Sequence, residues 1–182
     1  ERQMWAPDAA CKNGKYYLYF PAKRANGIFQ IGVAVGDSPI GPFKAEPEAI
    51  KGSYSIDPAV FEDNDGEYYM YYGGIWGGQL QNYRNNQYDA NRGEPADNEP
   101  ALGPIVARLT ADMKEFAEAP REIQILDENG KAFGLEMSQK ATADGGWFDY
   151  IWHNPAADKV QRKEAWAVLH EDLVFIAGIY VE

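Results

Sequence analysis

An aspartate heads the same strand pattern twice, and that repeat limits the possible folds more tightly than any other feature of the chain. The first copy runs Asp8-Ala9-Ala10-Cys11, then Lys12-Asn13-Gly14-Lys15, then Tyr16-Tyr17-Leu18-Tyr19-Phe20. The second runs Asp57-Pro58-Ala59-Val60-Phe61, then Asp63-Asn64-Asp65-Gly66, then Glu67-Tyr68-Tyr69-Met70-Tyr71-Tyr72. Asn-Gly and Asp-Gly supply the positive-φ residues of tight turns, and aromatic and β-branched runs favour strands, so each copy reads as a β-hairpin. A third strand follows each hairpin, at 28–35 and at 104–109, and a fourth carries an aromatic residue, Gly41-Pro42-Phe43-Lys44 matching Met113-Lys114-Glu115-Phe116. Alignment of Gly14 with Gly66 gives a period of about 50 residues, the length of one four-stranded propeller blade. The chain is therefore expected to be mostly β, with two blades of an incomplete propeller.

With 45% hydrophobic and 14% aromatic residues among 182, the chain has ample material for a core. Its formal charge of -11 argues against nucleic acid and anionic membrane surfaces as partners, because both need clustered Lys and Arg. Cys11 is the single cysteine, which excludes an internal disulfide and a cysteine-based zinc cage and leaves the compartment open. In a strand it reads as a small buried hydrophobe. No apolar run reaches transmembrane length. The opening Glu1-Arg2-Gln3-Met4-Trp5 falls in mid-motif rather than in a signal peptide, so a natural start upstream is expected.

Composition shifts twice along the chain. From 77 to 103 it turns polar and rich in Asn, Gln, Glu and Pro, with Trp76 and Tyr83 as aromatic anchors, which predicts a long loop between the second and third strands of the second blade. After a strand at 122–126, the turn Asp127-Glu128-Asn129-Gly130 marks the second shift. Beyond it, Phe133, Leu135, Met137 and Ala141 predict an amphipathic helix over 132–143. Strands follow at 145–152, 163–169 and 173–180, the first two joined by a turn at 154–159, which together make a small α/β meander.

Two family resemblances emerge from these residues. Residues 3 to about 131 resemble an internal piece of a glycoside hydrolase family 43 enzyme, the five-bladed propeller group of β-xylosidases and α-L-arabinofuranosidases. The stretches that carry it are Gln3-Met4-Trp5-Ala6-Pro7-Asp8, Tyr54-Ser55-Ile56-Asp57-Pro58, Gly73-Gly74-Ile75-Trp76-Gly77-Gly78 and Glu99-Pro100-Ala101-Leu102-Gly103-Pro104. Residues from about 127 to 182 resemble the rear half of a Cache-type sensor domain, through Gly145-Gly146-Trp147-Phe148-Asp149-Tyr150-Ile151-Trp152 and Asp172-Leu173-Val174-Phe175-Ile176-Ala177-Gly178-Ile179-Tyr180. The expected division is a partial propeller at 1–128 and a Cache-like segment at 129–182, with the chain read as a chimera joined at the turn.

The first resemblance implies hydrolysis of xylose- or arabinose-containing glycans with inversion. That chemistry needs a general acid on the leaving oxygen and a general base on a water across the sugar. A third carboxylate tunes the acid, since like charges in a desolvated pocket push one pKa upward. The resemblance gives Asp57 this tuning and orienting role and places the base before Glu1. It places the acid soon after the Asp-Glu-Asn-Gly turn, where Glu136 is the nearest carboxylate; the competing reading makes Glu136 an ordinary residue of the helix. For Asp57 and Asp8 the competing reading is an aspartate that bonds nearby backbone amides. If functional, Asp8 lines the pocket rather than catalysing.

Trp5, Phe29 and Trp76 are candidate platforms for a sugar face, with core packing as the alternative, strongest for Phe29 in mid-strand. His153 and His170 lack metal-ligand spacing, and the acidic run 63–67 fits a hairpin turn better than a calcium loop. No metal or cofactor is expected; the expected partner is an oligosaccharide or polysaccharide, with association through exposed strand edges. Two other functions stay open: an extracytoplasmic small-molecule sensor, carried by the last third, and a non-catalytic carbohydrate-binding fragment.

Overall fold

The structure, a computed structural model, describes residues 4–96, 102–123, 126–171 and 173–181. Gln3, residues 99–101 and Asp172 of the stretches quoted above lie outside the described residues. The chain divides into two compact units, 1–94 with 102–123, and 95–101 with 124–182.

The first unit holds two four-stranded antiparallel sheets of the same build. In the first sheet β1 (Asp8–Lys12), β2 (Lys15–Lys23), β3 (Phe29–Gly36) and β4 (Lys44–Ala45) pair each with the next. Asn13 and Gly14 turn β1 into β2 at φ 52° and 74°, the positive-φ pair that suits the twist of a two-residue hairpin. The second sheet begins with β5 (Ala59–Glu62) and β6 (Tyr68–Tyr72). Its long loop contains two short 3₁₀ turns and a hairpin of β7 (Tyr83–Arg84) and β8 (Gln87–Tyr88), and leads to β9 (Ile105–Arg108) and β10 (Arg121–Glu122). The order β5-β6-β9-β10 repeats the first sheet's meander.

The outer strand of this second blade differs from expectation. Phe116 makes only an isolated bridge to Leu109, and the fourth strand is Arg121–Glu122. The reason is local. Thr110 turns the chain back on itself, its amide donating to the Glu115 carbonyl and its hydroxyl to the Asp112 carboxylate, so 110–115 form a tight turn. The strand expected at 122–126 accordingly starts one residue early; of its residues, 124 and 125 lie outside the described ones.

Period-two alternation builds the core. Tyr68, Met70 and Tyr72 of β6 point to the same side as each other and pack with Tyr17, Tyr19, Ile31 and Val33 of the first sheet. Each such burial is worth about 1.5–3 kcal/mol, so the shared face dominates the stability of this unit. Hydroxyls stitch the blades: Tyr19 donates to the Met113 carbonyl at 2.9 Å and Tyr68 to the Cys11 carbonyl at 3.0 Å. Cys11 itself is exposed rather than buried, because it sits on the side of β1 away from that core.

The second unit is a helix on a sheet: α1 (Phe133–Lys140), then β11 (Gly146–Asn154), β12 (Lys159–His170) and β13 (Leu173–Val181) in a meander. The helix is shorter than expected, because the Gly145 amide bonds the Thr142 carbonyl and closes a turn over 142–145. Phe133 and Met137 of α1 cover Phe148, Ala165 and Ala167. The strands outrun the aromatic signal that marked them, since the Asn154 side chain accepts from the Ala156 amide and confines the turn to the residues between β11 and β12.

Candidate active site

The first unit gathers Trp5, Asp8, Asp57 and the loop 73–78 around the leading ends of β1 and β5. Trp5 is anchored by its amide, which donates to the Pro21 carbonyl, and its half-exposed indole meets Phe29 edge-on with ring centroids 5.9 Å apart. Phe29 has no exposed surface, so its ring supports Trp5 from beneath and offers no platform of its own.

The two aspartates part company here. Asp8 accepts a hydrogen bond from the Val60 amide at 2.6 Å, so its carboxylate ties β1 to β5 across the blade boundary. Asp57 is exposed and adopts φ 57°, a left-handed conformation that Asp tolerates better than most residues. What holds it there is the neighbouring loop. The Gly74 amide donates to Ser55 Oγ at 2.8 Å, Ser55 Oγ donates to the Gly74 carbonyl at 3.1 Å, and the Gly73 amide donates to the Ile56 carbonyl at 2.9 Å.

Contact this close requires glycine. A Cβ on Gly74 would lie 2.6 Å from Ile56 Cγ1 and 3.3 Å from Asp57 Oδ2, and one on Gly77 would lie 2.7 Å from Trp5 Cη2. The same distances show that the Asp57 carboxylate and the Trp5 indole both abut the loop. Trp76 is 68% exposed at its apex. Its amide donates to Gln81 Oε1 at 2.8 Å, and its indole N–H donates to the Glu94 carboxylate, so the exposed ring is held at both backbone and tip.

Gln79 fastens this loop to the first blade. Its Oε1 accepts from the Phe29 amide at 3.1 Å and its Nε2 donates to the Gly27 carbonyl at 2.9 Å. Sequence reading missed Ser55, Gln79, Gln81 and Glu94. Polar residues in a polar loop carry no periodic signal, and only the Gly-Gly pairs flanking Trp76 hinted at a tight, backbone-paired segment.

Farther out on the second blade, Tyr83, Asn85, Asn86, Arg121 and Glu122 help line a cleft of about 320 Å³ with Tyr54. Tyr54 donates to Asn86 Oδ1 at 2.8 Å, and burial pushes its pKa up to about 12, which keeps it a donor through the neutral range. Glu136 belongs to the second unit, in the first turn of α1, and its carboxylate pairs with Lys131 Nζ at 2.7 Å. The acidic run 63–67 turns β5 into β6, with Asp63 and Asp65 accepting from the Asn64 and Glu67 amides.

An exposed carboxylate and a half-exposed indole, both abutting a glycine-rich loop that carries a second exposed indole, suit a ligand with hydroxyl rims and C–H faces. Four-stranded blades whose inner strands carry their polar residues at the leading end are the architecture of a β-propeller. Residues 1–142 match the model of Glycosyl hydrolases family 43, and the chain belongs to that family. A xylosidase/arabinosidase of Bacteroides ovatus is 53% identical over 146 residues, covering 80% of this chain and 45% of that protein. Xylosidase/arabinosidase 43A of Humicola insolens is 56% identical over 153 residues, covering 80% and 47% respectively. Among solved structures, a Xanthomonas citri GH43_1 enzyme complexed with xylose superposes with a TM-score of 0.70 at 50% identity, over 98% of this chain and 52% of that one. The chain thus spans about half the length of these relatives.

The comparisons give no support to the Cache resemblance of 127–182 or to the reading as a chimera; the solved-structure match runs through that segment. An aromatic strand opening a three-stranded meander is common to many antiparallel sheets, which makes it a weak family marker.

Proposed function

We propose that this chain forms part of a glycoside hydrolase that cleaves xylose- or arabinose-containing glycans with inversion, and that Asp57 tunes and orients its general acid. The observation that carries the assignment is the contrast between the two aspartates: Asp8 is taken up by the Val60 amide, whereas Asp57 is exposed beside Gly74. The names of the relatives support the sugar class, since those of Bacteroides ovatus and Humicola insolens are both xylosidase/arabinosidases.

In this reading the Trp5 and Trp76 indoles take the apolar faces of the sugar and the glycine backbone lets the ring approach closely. Asp8 contributes by fixing β1 against β5 rather than by touching the substrate. The negative charge of Asp57 disfavours ionisation of a neighbouring carboxylic acid and so keeps that acid protonated for the leaving oxygen. Glu136 is not assigned this acid role: it sits on α1 of the second unit, where its carboxylate is taken up by Lys131.

The test is the pH–rate profile of a full-length family enzyme carrying this Asp57 segment, with an aryl β-xyloside and an aryl α-L-arabinofuranoside. Asp57→Asn is expected to lower kcat by about 10²- to 10⁴-fold, the usual weight of an acid–base contribution. Loss of the charge lowers the acid's pKa, so the alkaline limb moves to lower pH. Full activity with an unmoved alkaline limb would leave Asp57 as a turn residue and overturn the assignment.

A further inference from the structure

Trp5 and Trp76, the two indoles assigned to the sugar, stand on different blades, Trp5 ahead of β1 and Trp76 in the loop after β6. Bonds from Gly73 and Gly74 to Ile56 and Ser55 tie the start of that loop, and Asp57 with it, to the second blade. Its far end is tied across the blade boundary by Gln79. The Gln79 backbone amide donates to the Trp76 carbonyl at 3.1 Å and closes the turn that carries the indole. Its side chain uses both polar atoms on the first blade, accepting from the Phe29 amide at 3.1 Å and donating to the Gly27 carbonyl at 2.9 Å.

This anchorage is specific to its place. β4 pairs with Ala34 and Val35, so the edge of β3 at Phe29 lies beyond its reach. Phe29 is fully buried, and a buried amide left without a partner costs the full desolvation of that group. The residue that Gln79 bonds is also the one whose ring supports Trp5, edge-on at 5.9 Å. Gly77, next to Trp76, abuts the Trp5 indole from the other direction, since a Cβ there would lie 2.7 Å from Trp5 Cη2. One carboxamide therefore links the backbone beneath Trp5 to the turn that bears Trp76.

We propose that Gln79 is a positioning residue of the sugar site: by fixing the Trp76 turn to the strand that supports Trp5, it sets the placement of one indole relative to the other and so the affinity for the sugar ring. The inference rests on the glycosidase reading for what the indoles bind, and on geometry alone for what Gln79 holds. Asp57 is fixed through Ser55, Ile56 and the two glycines, so Gln79 acts on binding rather than on the chemical step. Such a role shows in KM and not in kcat.

Gln79→Met keeps the length of the side chain and removes both of its bonds. In fluorotryptophan NMR of this chain the Trp5 and Trp76 signals should shift, while those of Trp147, Trp152 and Trp166 in the second unit stay in place. Unmoved Trp5 and Trp76 signals would overturn the inference, whatever the activity. In a full-length family enzyme carrying this segment, the same variant should raise KM for an aryl β-xyloside about tenfold while kcat falls less than about threefold. A loss confined to kcat would overturn it. Gln79→Glu supplies a rescue that holds even if the methionine variant folds poorly. Its carboxylate can accept from the Phe29 amide but sets a second acceptor against the Gly27 carbonyl, and only the protonated form can donate there as Gln79 does. The ratio of its KM to the native KM at the same pH should therefore shrink as pH is lowered from about 7 to about 5, because the Gly27 carbonyl favours the protonated form. A ratio independent of pH would overturn the inference. A fully active Asp57→Asn would instead remove the reading of the site at Asp57 and leave the tryptophan signals to decide what Gln79 holds.

Discussion

Asp127 accepts hydrogen bonds from three backbone amides: Ile151 at 2.9 Å through Oδ2, and Asn129 and Lys131 at 2.9 and 2.8 Å through Oδ1. The Ile151 amide does most to hold its carboxyl below the ordinary value of 3.8, with the Lys131 and Asn129 amides adding to it against the opposing effect of burial. Since the folded form binds its proton more weakly than the unfolded form, the stability it lends is fully present above pH 3.8 and drains as pH falls through the lower folded value. Asp127→Asn is therefore expected to lower the second unit's stability at neutral pH and to lose that disadvantage in acid. Urea midpoints read from pH 6 down to about pH 2 for both forms would show the gap closing as the carboxyl protonates; a gap independent of pH would reject the assignment. Sequence marked Asp8, Asp57 and Asp127 alike as aspartates beside turns or strand starts. Their different fates depend on which amide, if any, the fold brings within reach, and that partner lies 52 residues away for Asp8 and 24 for Asp127.

At the scale of elements, the hairpins were legible because turn chemistry and the strand preference of aromatic and β-branched runs are local signals. The first blade matches its reading nearly strand for strand. The fourth strand of the second blade was not legible, because the Thr110 turn spends on backbone bonds the residues whose aromatic had matched Phe43. The candidate site was half legible. Trp5, Asp57 and Trp76 stood out by residue type, whereas the amides that fix them depend on loop geometry, and for Phe29 the core-packing alternative, favoured by its place in mid-strand, is the one that its burial supports. Two glycines give a matched test of element stability. Gly14 and Gly145 have nearly equal φ, 74° and 72°, but a Cβ on Gly14 meets nothing within 4 Å, while one on Gly145 lies 2.2 Å from Trp166 Cζ2. Gly14→Ala is expected to cost about 1 kcal/mol through left-handed strain alone. Gly145→Ala adds displacement of an indole at the β11–β12 pair and should cost about 2–4 kcal/mol. Equal losses in thermal midpoint would show that Trp166 moves aside freely.

Across the whole molecule the two units carry separate cores. The first buries two faces of aromatic and aliphatic side chains; the second rests on Phe148, Ala141, Ala165 and Ala167 with Phe133, Met137 and Tyr150 around them. A three-stranded sheet capped by one short helix is near the lower limit of what holds together alone. Phe148 supplies most of the apolar volume in the second core, and Phe→Ala in a core typically costs about 3–5 kcal/mol. That loss should exceed the second unit's own margin while leaving the first unit's packing untouched, because no core side chain of the first cluster belongs to the second. Fluorotryptophan NMR can separate the outcomes, since Trp5 and Trp76 belong to the first unit and Trp147, Trp152 and Trp166 to the second. In Phe148→Ala the signals of Trp147, Trp152 and Trp166 should collapse to unfolded shifts at a temperature where Trp5 and Trp76 keep their native ones. Simultaneous collapse of all these signals would mean that the units fold as one cooperative body, and that the stability of the Asp57 site depends on the second core.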